Sequence, residues 1–230
     1  MHVTRRTMAL AARLAACASG VAATEFALSL PFLLGAGLMG LEVANRAIVQ
    51  TQVSQLAAQI ADNASRIGDT STLDDRKIYE NDIDDLLRGA ETQGGGHLDL
   101  LEHGRVIISS LEVVPGTDDQ QYIHWQRCAG KKHHVSSYGL EGDGQATGIP
   151  GMGPAGKEVW AFKDEAVIFV EVAYDYQPLV GTTFGMPGEI DSTASFTVRD
   201  DRDLSQIYQR DPASPDTVSD CGTYNDPTAV

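Results

Sequence analysis

Positive charge is scarce in this 230-residue chain: 17 Lys and Arg stand against 32 Asp and Glu, a net −15. A surface of that sign repels polyanions, which excludes a general nucleic-acid binder. Cysteine is rarer still, at three residues, and 23 Gly with 9 Pro fall short of a low-complexity or collagen-like composition. Catalytic signatures are missing too. There is no Gly-x-Ser-x-Gly elbow, no His-Glu-x-x-His and no Walker loop, so the chain is expected not to be an enzyme. His124, Cys128, His133 and His134 lie close in sequence, but Lys131 and Lys132 intervene and no standard zinc spacing appears. Asp200, Asp201 and Asp203, like Glu141 and Asp143, lack EF-hand spacing and read as solvated acidic surface. No metal and no cofactor is expected.

What is present is unevenly distributed. Residues 1–20 carry Arg5, Arg6 and Arg13 and no acid, whereas residues 47–230 hold 30 acids against 13 bases, a net −17. Between them, the 16 residues from Phe26 to Leu41 contain no charge. Extended outward to Val21 and Ala44 the stretch has 24 residues, interrupted only by Glu25 and Glu42. As a helix it reaches about 36 Å, enough to cross a hydrocarbon core of about 30 Å. Pro31, Gly35, Gly37 and Gly40 are tolerated in such a helix, where small residues favour close helix approach. A basic start, an apolar run and an acidic remainder predict a single-pass chain with its N-terminus cytoplasmic and its bulk exported.

The helical pattern continues past Arg46. Apolar residues recur at Val49, Val53, Leu56, Ile60, Ala64 and Ile67, one face of an amphipathic helix, until Gly68 supplies a stop. Residues 21–67 are thus expected to form one long helix, membrane-spanning at first and amphipathic later. Glu42, near Arg46, reads as a carboxylate lying at the membrane interface.

Three signals overlap at the start. Arg5-Arg6 resembles a twin-arginine signal. Leu14-Ala15-Ala16-Cys17 has the form of a lipoprotein box, although Arg13 breaks the apolar run that such a signal needs. The third is Gly20-Val21-Ala22-Ala23-Thr24-Glu25-Phe26, followed by Ala-Leu-Ser-Leu-Pro31 and later by Gly40-Leu41-Glu42. This run resembles the opening of the TadE-like pilus-assembly family, minor pilins (pseudopilins) of the tight-adherence Flp pilus system. The likeness covers about the first 50 residues closely and the rest in layout; Thr24 stands where that family usually has an apolar residue. It implies cleavage between Gly20 and Val21 by a prepilin peptidase, an assembly role for Glu25 and Phe26, and an inner-membrane location. The partners it implies are the major Flp pilin, other minor pilins and the secretion platform. Independently of family, a carboxylate at the edge of an apolar helix costs about 2–3 kcal/mol to place in lipid, which makes Glu25 a functional candidate. Gly20, without a Cβ, lets a peptidase approach the backbone. Two further readings remain open: a membrane-anchored periplasmic binding module, and a lipoprotein.

Residues 68–230 read as an exported α+β domain with a flexible C-terminal tail. A helix is expected over 73–88, capped by Thr72 or Asp74 and ended by Gly89, with a loop at Gly94-Gly95-Gly96. Strands are expected at 105–114, 121–127, 166–176 and 193–199, with Val170, Val172, Tyr174 and Tyr176 on one face. The Gly-rich 128–158 stretch reads as a loop or insertion. The result is a small antiparallel sheet beside a long helix, a layout similar to that of pilins. If the leader of residues 1–20 is removed, Cys17 leaves with it. Cys128 and Cys221 then remain, either as a disulfide in an oxidising compartment or as two separate thiols.

Overall fold

A computed structural model describes residues 12–13, 18–69, 75–181, 187–199 and 201–225. Arg5, Arg6, Cys17, Thr72, Asp74 and Asp200 lie outside them. Packing distinguishes two units, one of Met1–Asn45 with Pro178–Met186 and one of Arg46–Gln177 with Pro187–Val230.

The expected long helix is present as α1, Ala18–Ala64, with Pro31 inside it. Its 47 residues correspond to about 70 Å. Up to Leu41 most of its large apolar side chains, among them Phe26, Phe32 and Leu33, are exposed. α1 is long and apolar enough to cross a membrane. From Val49 the predicted stripe turns inward: Val49, Val53, Leu56, Ile60 and Ala64 are buried, and Ile67 packs on their edge. Gly68 then adopts φ +125°, a left-handed conformation suited to glycine.

Two shorter helices follow, α2 (Glu80–Leu98) and α3 (Leu100–His103). The Asp82 carboxylate accepts the Tyr79 N–H at 3.1 Å and closes the first turn of α2. Gly89 does not end this helix. The buried stripe Ile83, Leu86, Leu87, Ala90 runs through it, and packing outweighs the ~1 kcal/mol that a mid-helix glycine costs. Gly94–Gly96 is likewise no free loop: α2 kinks there, with Gly95 at φ 67°, ψ 161°.

The sheet has four strands, β1 (Gly104–Val113), β2 (Gln121–Ala129), β3 (Ala166–Asp175) and β4 (Glu189–Thr197). They pair antiparallel in the order β2-β1-β3-β4. The fold is α+β. β4 begins four residues earlier than its sequence suggests, because Asp175↔Glu189 and Tyr174↔Ile190 already pair across β3. One face packs against α1 and α2, joining Ile60 and Leu87 to Ile108, Ile168, Val170, Val172, Tyr174 and Tyr176. Each such side chain contributes about 1.5–3 kcal/mol on full burial.

The other face is covered as well, which alternation in β3 alone did not reveal. Residues 130–165 have little regular structure but are packed: Met152 and Ala161 join Leu111, Ile123, Val167 and Phe169 in a second core. Tyr138 meets Phe169 edge-on at 5.1 Å between ring centres. Gly130 opens this excursion at φ +109°, where a Cβ would lie 2.2 Å from the Gly104 carbonyl oxygen.

The C-terminal segment, read as a flexible tail, runs beside residues 76–80 through bridges Arg76↔Arg202 and Tyr79↔Tyr208. Further on it lies against β2, where the Cys128 N–H donates to the Ser219 carbonyl at 2.8 Å.

Candidate functional site

The sequence-derived site begins near the described start of α1. Gly20 and Val21 lie within the helix and are exposed, and no atom comes within 4 Å of a Cβ built at Gly20. The backbone there is helical. Thr24 Oγ1 donates to the Val21 carbonyl at 2.8 Å and Ser29 Oγ to that of Phe26 at 3.1 Å, so both hydroxyls are satisfied inside the helix. Glu25 and Phe26 are exposed on the same apolar half. A carboxylate in such surroundings attracts a cation.

Glu42, expected at the membrane interface, is fully buried within the protein. One of its carboxylate oxygens accepts the N–H groups of Leu179 and Val180, both at 3.0 Å. Helical periodicity along residues 21–67 carried no sign of this, because the partners lie 137 and 138 residues away.

Cys128 and Cys221 form the disulfide, with Cα atoms 4.8 Å apart. Beside it stands Arg105, a buried guanidinium that sequence reasoning passed over. It donates to the carbonyls of Gly130 (2.9 Å), Thr223 (2.7 Å) and Cys221 (2.8 Å) and lies over the Tyr224 ring. Burial holds its pKa below the usual arginine value.

The residues considered for zinc do not converge. Cys128 is consumed by the disulfide, and His133 stacks on Tyr224 at 4.1 Å. His124 sits where the β1–β2 register shifts, its Nδ1 2.9 Å from a Glu112 oxygen; that hydrogen bond raises its pKa against the opposing effect of burial. Three of the acids considered for calcium are engaged elsewhere: Asp203 accepts from Ser205 and Tyr208, Glu141 from Arg127, and Asp143 from Leu140.

A different trio does gather. Ligand atoms of His134, Glu189 and Asp191 lie within 4.8 Å of one another. The ammonium of Lys132 already stands 2.7 Å from Glu189 and 2.5 Å from Asp175, so the cluster carries an internal cation. Partial desolvation, then Glu189, pushes the Asp191 carboxyl up to about 6, while the Lys132 hydrogen bond holds Glu189 low.

On the second-core face an open cleft of about 710 Å³ is lined by Ile149, Pro150, Trp160, Phe162, Asp118 and Lys163, among others. Trp160 and Phe162 are exposed, and Trp160 Nε1 donates to the Pro150 carbonyl at 2.8 Å. No family model, curated protein or solved structure matches the chain.

Proposed function

We propose that the chain is a TadE-like minor pilin (pseudopilin), an assembly component of a tight-adherence pilus. On this reading it is made with a basic leader and held in the inner membrane by α1. Its four-stranded unit faces the periplasm, and it carries out no turnover chemistry. One observation carries the reading: the Gly20–Phe26 motif heads a helix whose first half exposes apolar side chains while its second half joins a sheet core. An exposed apolar helix suits packing among other pilin helices, and Glu25 placed there pairs with the α-amino group of a neighbour and sets register. The partners follow from the same reading: a prepilin peptidase, the major Flp pilin, other minor pilins and the secretion platform.

The test is the N-terminus of the membrane-extracted protein, read by mass spectrometry. Val21 is expected, and Glu25→Ala should abolish pilus assembly while leaving membrane insertion intact. A lipidated Cys17 would replace this reading with a lipoprotein, and Met1 would leave an uncleaved anchor.

The Trp160–Phe162 cleft favours a second reading, a membrane-anchored periplasmic binding module, because exposed aromatic rings over a concave surface suit a ligand. On that reading Trp160→Ala abolishes biological activity and Glu25→Ala spares it; the assembly reading expects the reverse.

A further inference from the structure

An acidic side chain at the end of an apolar span is normally hydrated, because burying a carboxylate without partners is costly. Glu42 follows the uncharged run Phe26–Leu41 directly, yet it is fully buried. Lying against it, in the same packing unit, are residues 179 and 180. There the chain is irregular, and Leu179 and Val180 turn their N–H groups onto one Glu42 oxygen, both at 3.0 Å. Leu179 itself stays 60% exposed, as do its apolar counterparts on α1, Leu41 at 59% and Val43 at 51%. The sequence carries no charge anywhere between Asp175 and Glu189.

These facts fit one environment. In water a loop's N–H groups are hydrated, so no buried carboxylate is needed to receive them. Against hydrocarbon, irregular backbone is tolerated only where its polar groups are satisfied by protein. Glu42 supplies that satisfaction for two consecutive N–H groups, and in return its charge receives two charge-assisted hydrogen bonds. We propose that residues 178–181, latched to α1 through Glu42, form a second membrane contact: an apolar loop resting in the interfacial layer of the bilayer beside the span. The partner is a lipid surface, and the argument is adjacency, since the exposed Leu179 is bonded through its N–H to Glu42, which stands between the exposed Leu41 and Val43 of α1. This rests on the reading of α1 as a membrane span.

The test uses full-length protein in phosphatidylcholine vesicles, with tryptophan as the reporter. In a Trp125→Phe, Trp160→Phe background, Leu179→Trp provides the only indole, and Phe32→Trp provides the matching reporter within the span. Lipid brominated near the top of the acyl chains should remove most of the emission at position 179, and aqueous iodide should leave it unchanged. Adding Glu42→Ala should reverse that pattern, whereas Glu42→Gln, which keeps an acceptor oxygen, should retain most of the bromine quenching. Emission at 179 quenched by iodide and not by bromine overturns the proposal. Emission shielded from both quenchers also overturns it, by showing a protein partner over the loop. If Phe32→Trp is itself insensitive to brominated lipid, the span reading fails; if it is quenched and position 179 is not, only the loop proposal fails.

Discussion

Lys132 resolves a conflict that the strand register creates. Pairing β3 with β4 sets Asp175 opposite Glu189, and like charges directly across a sheet destabilise it. The Lys132 ammonium bridges both carboxylates, at 2.5 and 2.7 Å, so two acids become one ion-paired cluster. Asp191 lies on the same edge with Glu189, His134 and Lys132 around it; partial burial, then its hydrogen bond to Glu189 and that group's charge, hold its carboxyl up to about 6. In the unfolded chain the group ionises near 3.8, so in the interval between the two values the folded state binds more protons. Stability from this residue is therefore greatest below about pH 4 and declines as pH rises through about 6. Asp191→Asn, which fixes the neutral form, should raise the melting temperature at pH 7.5 and leave it unchanged at pH 4. Equal effects at the two pH values would show that the carboxyl titrates normally.

α1 is one element with two chemistries, and mutation should separate them. Ile60 is 1% exposed in the core beneath the sheet, whereas Ile48, twelve residues earlier, is 57% exposed. Truncating a buried Ile removes transfer energy and leaves a cavity, so Ile60→Ala should cost about 2–5 kcal/mol in denaturant unfolding. Ile48→Ala should cost under about 0.5 kcal/mol, as an exposed change does. Similar costs at both positions would mean that Ile48 is covered in the native assembly. The buried stripe of this element was legible because 3.6-residue periodicity is local, and the same is true of β1, β2 and β3, whose apolar runs lie between turn residues. Legibility ended where distant partners decide. β4 starts at Glu189 because β3 and Lys132 make room for its charges, and α2 outlasts Gly89 because the core wants Ala90. The run of Gly20, Val21, Glu25 and Phe26 is contiguous, so its resemblance rests on sequence alone. Glu42 with residues 179 and 180, Arg105 with the C-terminal carbonyls, and the Trp160–Phe162 cleft could not be read, since each joins segments that sequence spacing does not relate.

Across the whole chain, an excess of acid must be held together against its own repulsion, and the strongest single tie is covalent. The Cys128–Cys221 bond closes a separation of 93 residues and fixes the C-terminal segment to the end of β2. By chain entropy a loop of that length contributes about 4–5 kcal/mol, an upper figure because unfolded chains retain structure. The bond also has an electrostatic dependant. Two of the three carbonyls that solvate the buried Arg105 guanidinium, those of Cys221 and Thr223, belong to the segment that the disulfide holds. Without the bond that segment detaches more readily and leaves a buried cation with fewer acceptors, a loss of about 1–3 kcal/mol or more. Replacing both cysteines with Ser should therefore destabilise the protein by about 2–5 kcal/mol in denaturant unfolding. Arg105→Met should be costly with the disulfide intact, where it removes satisfied hydrogen bonds, and much less costly in the double-Ser background, where the charge is already stranded. The cycle of four proteins measures this coupling directly. Additive losses would mean that the disulfide and Arg105 hold the C-terminal segment independently. A strongly negative interaction energy would show that the covalent tie serves chiefly to keep a buried charge solvated by backbone.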